Sequence, residues 1–409
     1  MTNLVAYKVK RIDKLLMHRF WGLLIFFLLL FAIFETTFGL GYYPVLWIEK
    51  LVFYFENYLQ NSIGDGFVKS LLLYGIVKGV GGVVVFLPNI IILYLLITIM
   101  EESGYMLRVS AVMDKALSRF GLNGKSFFSL VMGLGCTVPA IMAAQQIGDK
   151  KTRLVTILVN PLISCGSRFT VYVLFISLFF NKYSGLILFS IYMFSVILVA
   201  LVALALKKYL LMPTHSTFTP VLIPLRVPSL KRIGRSIYNN SVLFLKKIIG
   251  AILISSIIIW LLMYFPSRDA SHKDIEHSYI GMIGKGIQPA MAPLGFDWKM
   301  CVSLLTGIAA KETIVGTLNE LYQNPHANQA ASLSADDDSI LKNVFSITPL
   351  QALSFMFFVS IYTPCIAVLT SIRKVSRSRK WTLFVILYTT MIAWIVAFGI
   401  FQAGLALGF

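Results

Sequence analysis

Charge is what this sequence most lacks. Of 409 residues only 13% are charged, while 57% are apolar. A soluble domain carries about 25% charged residues, so this chain cannot dress a water-facing surface of its own size. Cysteine is scarce as well: Cys136, Cys165, Cys301 and Cys365 each lie in or beside an apolar segment. A disulfide framework needs short, loop-rich sequence around its cysteines, and that context is missing. No small-x-small cleavage site follows the first apolar run, Phe20–Phe34, although Lys8, Lys10, Arg11, Lys14 and Arg19 precede it. The run reads as a retained span rather than a signal peptide. A phosphate-binding loop is also absent. Gly121-Leu-Asn-Gly124-Lys125-Ser126 ends like one, but Arg119 stands where the pattern needs glycine, and no strand precedes it.

What is present is apolar sequence in lengths that fit a bilayer. A hydrocarbon core about 30 Å thick takes about 20 residues of helix. Phe20–Leu40, Val80–Met100, Leu154–Phe180, Leu186–Leu206, Ile248–Phe265, Leu350–Ile372 and Thr382–Phe401 qualify. The net charge of +18 does not point to nucleic acid. Its basic residues gather at the amino end, in Lys207–Lys247 and in Arg373–Lys380, each beside an apolar segment, as cytoplasmic loops require.

Two further apolar segments, Phe127–Ile147 and Met300–Tyr322, are rich in glycine and small residues; the first contains Pro139, the second Lys311 and Glu312. Keeping all three basic clusters on one side requires an even number of crossings between them. The clear spans already supply that number, so both segments are predicted to enter and leave on the same face. The expected fold is an all-α polytopic membrane protein of about 7–9 membrane segments, an inverted-topology repeat with two re-entrant gate segments. Its predicted parts are a basic cytoplasmic amino end (1–19), a first transmembrane helix with an interfacial segment at Tyr42–Ser62 (20–66), a first gate repeat (67–206), a basic cytoplasmic loop (207–247) and a second gate repeat (248–409). Ser267–Lys285 reads as a polar external loop and Asn324–Asp338 as a flexible acidic one.

Irregular backbone at membrane depth is tolerated only where it is buried in protein or lines a cavity. Gly135 and Pro139 interrupt the first gate beside Cys136. Asn160-Pro161…Ser164-Cys165-Gly166…Arg168 marks a second break, and Tyr362-Thr363-Pro364-Cys365 a third in the other half. A buried cysteine is often plain filler, but three beside such breaks outweigh that reading; Cys301, beside none, reads as filler. Thiols with carbonyls and hydroxyls suit a site that strips water from a borderline metal such as Fe²⁺ and still releases it. The candidate metal contacts are Cys136, Cys165, Cys365, Glu312, Met142, Ser164 and Thr363. Glu312 qualifies because intramembrane charges are costly; a structural ion pair with Lys311 or Arg168 is its alternative role. Glu101 and Glu102 could form a cation-attracting mouth, and Glu35 and Lys78 read as snorkelling near span ends.

Leu87-Pro88-Asn89, Glu102-Ser103-Gly104-Tyr105-Met106, Gly135-Cys136-x-Val138-Pro139-Ala140, Asn160-Pro161…Ser164-Cys165-Gly166-x-Arg168, Ala310-Lys311-Glu312 and Pro364-Cys365 run in one order. That series strongly resembles the membrane portion of the ferrous-iron transport protein B (FeoB) family across nearly the whole chain. The resemblance implies Fe²⁺ uptake through the bacterial cytoplasmic membrane by a multi-pass protein with its amino end inside, with Cys136, Cys165 and Cys365 at positions of metal contact. That family carries an amino-terminal GTP-binding domain, whereas about 19 residues precede the first apolar run here. A separate GTP-binding protein and a small FeoA-like protein are the implied partners, or else transport runs without GTP. Thr137, Ala144 and Gln145 replace the Asn and Thr-Arg of the family's first gate, so metal selectivity and coupling do not follow from the resemblance alone. Two other readings stay open. One is passage of Mn²⁺, Zn²⁺ or a nucleoside-like solute, for which no aromatic hydrogen-bonding residues gather at the gates; the other is a non-transporting anchor for a G protein. A pathway can lie within one protomer or on the axis of a homo-oligomer.

Overall fold

The computed structural model describes residues 16–18, 20–62, 64, 66–210, 234, 250, 253–266, 275–322 and 347–408, and no strand forms among them. The amino end, the acidic stretch Asn324–Asp338 and nearly all of the basic loop Lys207–Lys247 lie outside the described residues, as does the side chain of Lys78.

Helix α1 runs unbroken from Trp21–Ser62, 42 residues. At 1.5 Å per residue it is about 63 Å long, twice the thickness of a hydrocarbon core. The separate interfacial helix expected at Tyr42–Ser62 is therefore corrected: it continues the first span. Pro44 costs one turn its hydrogen bond, but no glycine or proline follows it before Gly64, and α1 packs along α2 (Lys78–Glu102). A short helix, Phe67–Ser70, and a π-helical turn, Leu71–Val77, lead into α2.

After α2 the chain bends by 79° into α3 (Tyr105–Leu117). The first gate segment follows as α4 (Gly124–Gly135) and α5 (Thr137–Ala143), then α6 (Lys150–Val159), α7 (Gly166–Phe179) and the long α8 (Ser184–Leu210). Helix α9 (Leu253–Tyr264) precedes a second series. It comprises α10 (Tyr279–Met291), α11 (Trp298–Thr306), α12 (Thr313–Leu321), α13 (Pro349–Ile361), α14 (Ile366–Ser376) and α15 (Arg379–Ala406). The described end of the expected external loop is ordered: Ile275–His277 forms a 3-10 turn, and a Lys285–Glu276 ion pair of 2.8 Å ties it to α10.

The two series start alike. A 3-10 turn closes α3 and another closes α10; Gly121 (φ 76°) and Gly295 (φ 82°) then take the left-handed conformation that ends a helix. Two residues on, Asn123 and Asp297 cap the next helix by accepting from Ser126 N at 2.9 Å and Met300 N at 2.8 Å. The stretch that mimics a phosphate loop is thus a helix stop and a helix start.

Both glycine-rich segments fold back on themselves. Ser129 Oγ donates to Ala140 O at 2.7 Å, and Thr306 Oγ1 meets Thr317 Oγ1 at 2.9 Å. Each pair is eleven residues apart, which a straight helix would separate by about 16 Å. Each segment is a helical hairpin, the shape expected of a re-entrant gate. Leu154–Phe180 and Leu350–Ile372, predicted as spans with internal breaks, are α6–α7 interrupted at Asn160–Cys165 and α13–α14 interrupted at Tyr362–Cys365.

Among the described residues five helical stretches are long and apolar enough to cross a membrane, six if the bent pair at Glu102 counts as one span. Helix α8 exposes Leu186, Phe189, Met193, Val196, Ile197, Leu201 and Leu204 while burying Ile191, Leu198 and Ala203. Apolar on both faces, it suits a helix between protein and lipid. On α15 small residues face inward: Ser354 of α13 donates to Ala397 O at 3.2 Å, and Ala393 and Ala397 are fully buried. Close backbone approach at small residues is how membrane helices pack.

Asp149 caps α6 at the polar edge, accepting from Thr152 N at 2.7 Å, and that bond holds its carboxyl below the usual range. A depressed folded value means the cap stabilises above the unfolded pKa near 4 and fades as pH falls through the folded one. Asp149→Ala is expected to cost about 1 kcal/mol at pH 7. The difference between the two proteins' melting temperatures should shrink progressively below about pH 4.

Candidate metal pathway at four central helix starts

Helices α5, α7, α12 and α14 all begin inside the protein, and their N-cap residues are Cys136, Cys165, Glu312 and Cys365. None of the four side chains caps its own helix. At the outer helix starts Asn123, Asp149, Asp297 and Thr348 do so in the ordinary way. The thiols and the carboxylate at the interior starts are thus not used as caps, and Cys165 Sγ instead lies 3.3 Å from Ser167 Oγ; a helix N-terminus favours negative charge beside it.

Packing between the two series brings them together. Helix α5 lies against α14, and α12 lies against α7, so each hairpin's second arm rests on the helix after the other series' break. Cys136 is within electrostatic range of Cys165, Cys365 and Glu312. The backbone joins in: Ile366 N donates to Ile308 O at 2.9 Å, tying the tip of the second hairpin to the start of α14. Among the described residues no three His, Cys, Asp or Glu side chains are close enough to hold a metal ion together. The four groups therefore do not form a closed metal cage.

The remaining predicted contacts fall in different places. Thr363 is buried, and its Oγ1 has no hydrogen-bond partner. Ser164 is fully buried, but its hydroxyl is engaged with Tyr172 Oη at 3.0 Å and Ser195 Oγ at 3.1 Å. Met142, half-buried on α5, packs against the main core. Cys301, read as filler, lines a cavity of about 180 Å³ together with Tyr362 and Thr363, so it adjoins the third break after all. Glu101 and Glu102 are exposed at the bend, with Glu101 accepting from Gln146 Nε2 at 2.9 Å, and Glu35 is exposed on α1.

The breaks expose carbonyls, and cations occupy several of them. Arg168 donates through Nη1 to Ile163 O at 3.0 Å and through Nη2 to Pro161 O at 3.2 Å. It also reaches Tyr362 O, across the two series, at 3.5 Å. Lys311 Nζ donates to Thr363 O at 2.6 Å. Neither cation pairs with Glu312, whose alternative role as a structural ion-pair partner is not what these contacts show. Asn160, noted in the sequence as one polar group at a break, holds the first hairpin: its Nδ2 donates to Ser129 Oγ at 2.9 Å and Ser129 O at 3.2 Å. Its Oδ1 is buried without a partner. Thr156 adds a bond to Ser126 Oγ at 2.8 Å one turn earlier, zipping α6 to α4.

The Gate family, described as "Nucleoside recognition", matches residues 83–179 and 245–379, which contain both hairpins and all three breaks. The chain is 41% identical to the Fe(2+) transport protein A/Fe(2+) transporter FeoB fusion protein of Porphyromonas gingivalis, over 97% of this chain and 51% of that protein. It is 40% identical to the Fe(2+) transporter FeoB of Campylobacter jejuni, over 95% of this chain and 64% of that one. With the Fe(2+) transporter FeoB of Leptospira biflexa the identity is 37%, over 98% and 60%. The chain thus spans about half to two thirds of the length of these relatives. No solved structure matches it.

Proposed function

The chain belongs to the Gate family, and from that premise we propose that it conducts Fe²⁺ across the bacterial cytoplasmic membrane between its two hairpins. The observation that carries this reading is that Cys136, Cys165, Cys365 and Glu312 stand at four interior helix starts, none capping its own helix, with Cys136 in electrostatic range of the other three. Thiolate and carboxylate suit a borderline divalent ion. An incomplete cage suits conduction, which needs binding strong enough to admit the ion and weak enough to release it. Met142 and Thr363 stand beside this route, while Ser164 positions α7 through its hydroxyl network. The relatives named for Fe²⁺ transport support the choice of metal. The Porphyromonas gingivalis fusion supports a FeoA-like partner.

The family's description favours a nucleoside as the competing cargo. A nucleoside needs an open aromatic face to stack on, and the ring nearest the third break, Tyr362, is already covered by Lys311. Calorimetric titration of the detergent-purified chain separates the two. Fe²⁺ kept reduced under anaerobic conditions is expected to bind, Mn²⁺ and Zn²⁺ serving as competitors, while adenosine and uridine give no heat. Binding of a nucleoside with none of Fe²⁺ would overturn the proposal.

A further inference from the structure

Lys311 is 2% exposed, yet among the described residues it makes no ion pair. Its Nζ instead donates to Thr363 O at 2.6 Å and sits 3.1 Å from the centroid of the Tyr362 ring. A carbonyl dipole and an aromatic face are groups with which proteins seat cations. The seat lies two residues before Cys365, and Cys165, Cys365, Glu312 and Arg168 are all within electrostatic range of the ammonium. Holding the third break together does not require this lysine. Arg168 already reaches Tyr362 O, and the Ile366 N to Ile308 O bond already joins hairpin to helix. A buried cation is costly unless something compensates it, and here it adds positive charge where Arg168 has already supplied one.

We propose that Lys311 is a tethered competitor for the conducted ion: its ammonium fills the Tyr362–Thr363 cation seat in the empty pathway, and an entering divalent cation must displace it. The lysine then sets specificity. A monovalent ion offers nothing beyond what the ammonium already has. A borderline divalent ion gains bonds to Cys365 and its neighbours that offset the displacement. When the ion moves on, the ammonium returns to the carbonyl and the seat closes behind it. This inference rests on the Fe²⁺ reading and adds to it a residue that binds no metal itself.

The test exploits a sign. A lysine that merely supports the fold would, when removed, weaken metal binding along with stability; a competitor, when removed, strengthens it. Fe²⁺ is titrated anaerobically into the detergent-purified chain and its Lys311→Gln, Lys311→Met and Lys311→Arg variants, with melting temperatures recorded alongside. Gln and Met are expected to bind at least about tenfold more tightly than the parent, because a like charge has left the site, while Arg does not. Proteoliposomes carrying Lys311→Gln should also leak Na⁺, whereas those carrying the parent are expected to exclude it. Gln keeps a donor for Thr363 O, so it carries the result if Met folds poorly. Unchanged or weaker Fe²⁺ binding in a normally melting Gln variant overturns the role of the lysine alone. No Fe²⁺ binding by any form overturns the Fe²⁺ reading and this inference with it.

Discussion

Arg168→Met should destabilise the protein by about 3–5 kcal/mol, more than any other single substitution considered. The guanidinium is 2% exposed and serves carbonyls on both sides of the fold: Ile163 O and Pro161 O at its own break, Tyr362 O at the other. Methionine fills similar volume but donates nothing, so the carbonyls of Ile163, Pro161 and Tyr362 at the two breaks lose this donor. Lysine has a point charge in place of a planar fork and can serve one carbonyl at a time. The expected order of melting temperatures in detergent is Arg168, then Arg168→Lys, then Arg168→Met. If methionine instead left the melting temperature unchanged, the breaks would have to be held by something other than this side chain.

The second large effect concerns the thiols. Replacing Cys136, Cys165 and Cys365 together with serine keeps size and hydrogen bonding but removes the soft ligands. Fe²⁺ affinity is expected to fall by at least about tenfold, with flux falling in step. The melting temperature should move little, because none of the three caps its helix through its side chain. Stability and binding should therefore separate in this variant, whereas in Arg168→Met they fall together. A triple variant that binds and conducts Fe²⁺ like the parent removes the thiols from the pathway.

Much of this architecture is legible in the sequence because a bilayer imposes few solutions. Apolar runs such as Leu186–Leu206 and Thr382–Phe401 can only be helices, and α8 and α15 are. Counting crossings between the basic clusters led to the expectation that Phe127–Ile147 and Met300–Tyr322 re-enter, and the Ser129–Ala140 and Thr306–Thr317 contacts show that each segment folds back on itself. The breaks at Asn160–Cys165 and Tyr362–Cys365 were marked by proline. What could not be read was which partner each polar group takes. Lys311 and Arg168 looked like counter-ions for Glu312 because opposite charges attract at short range; in three dimensions the carbonyls freed at the breaks lie closer and claim them. The continuity of α1 through Pro44 was hidden because one proline costs a turn but does not forbid a helix supported along its length by α2. Helices α3 and α10, of 13 residues each, were missed as separate elements because both are too short to stand out as spans in the sequence. One sign was available beforehand: Cys136, Cys165 and Cys365 each stand immediately before a helix start, where Ser, Thr, Asp or Asn is the usual choice.

The central claim is that this chain itself provides the Fe²⁺ pathway. Its most direct measurement is radiolabelled Fe²⁺ uptake, anaerobic and driven by an inside-negative potential, into proteoliposomes holding only the purified chain. Uptake well above that of empty vesicles, and lost in the triple serine variant, is the result the structure leads us to expect. Vesicles that take up no more Fe²⁺ than empty ones, although the inserted chain binds the ion, would contradict it.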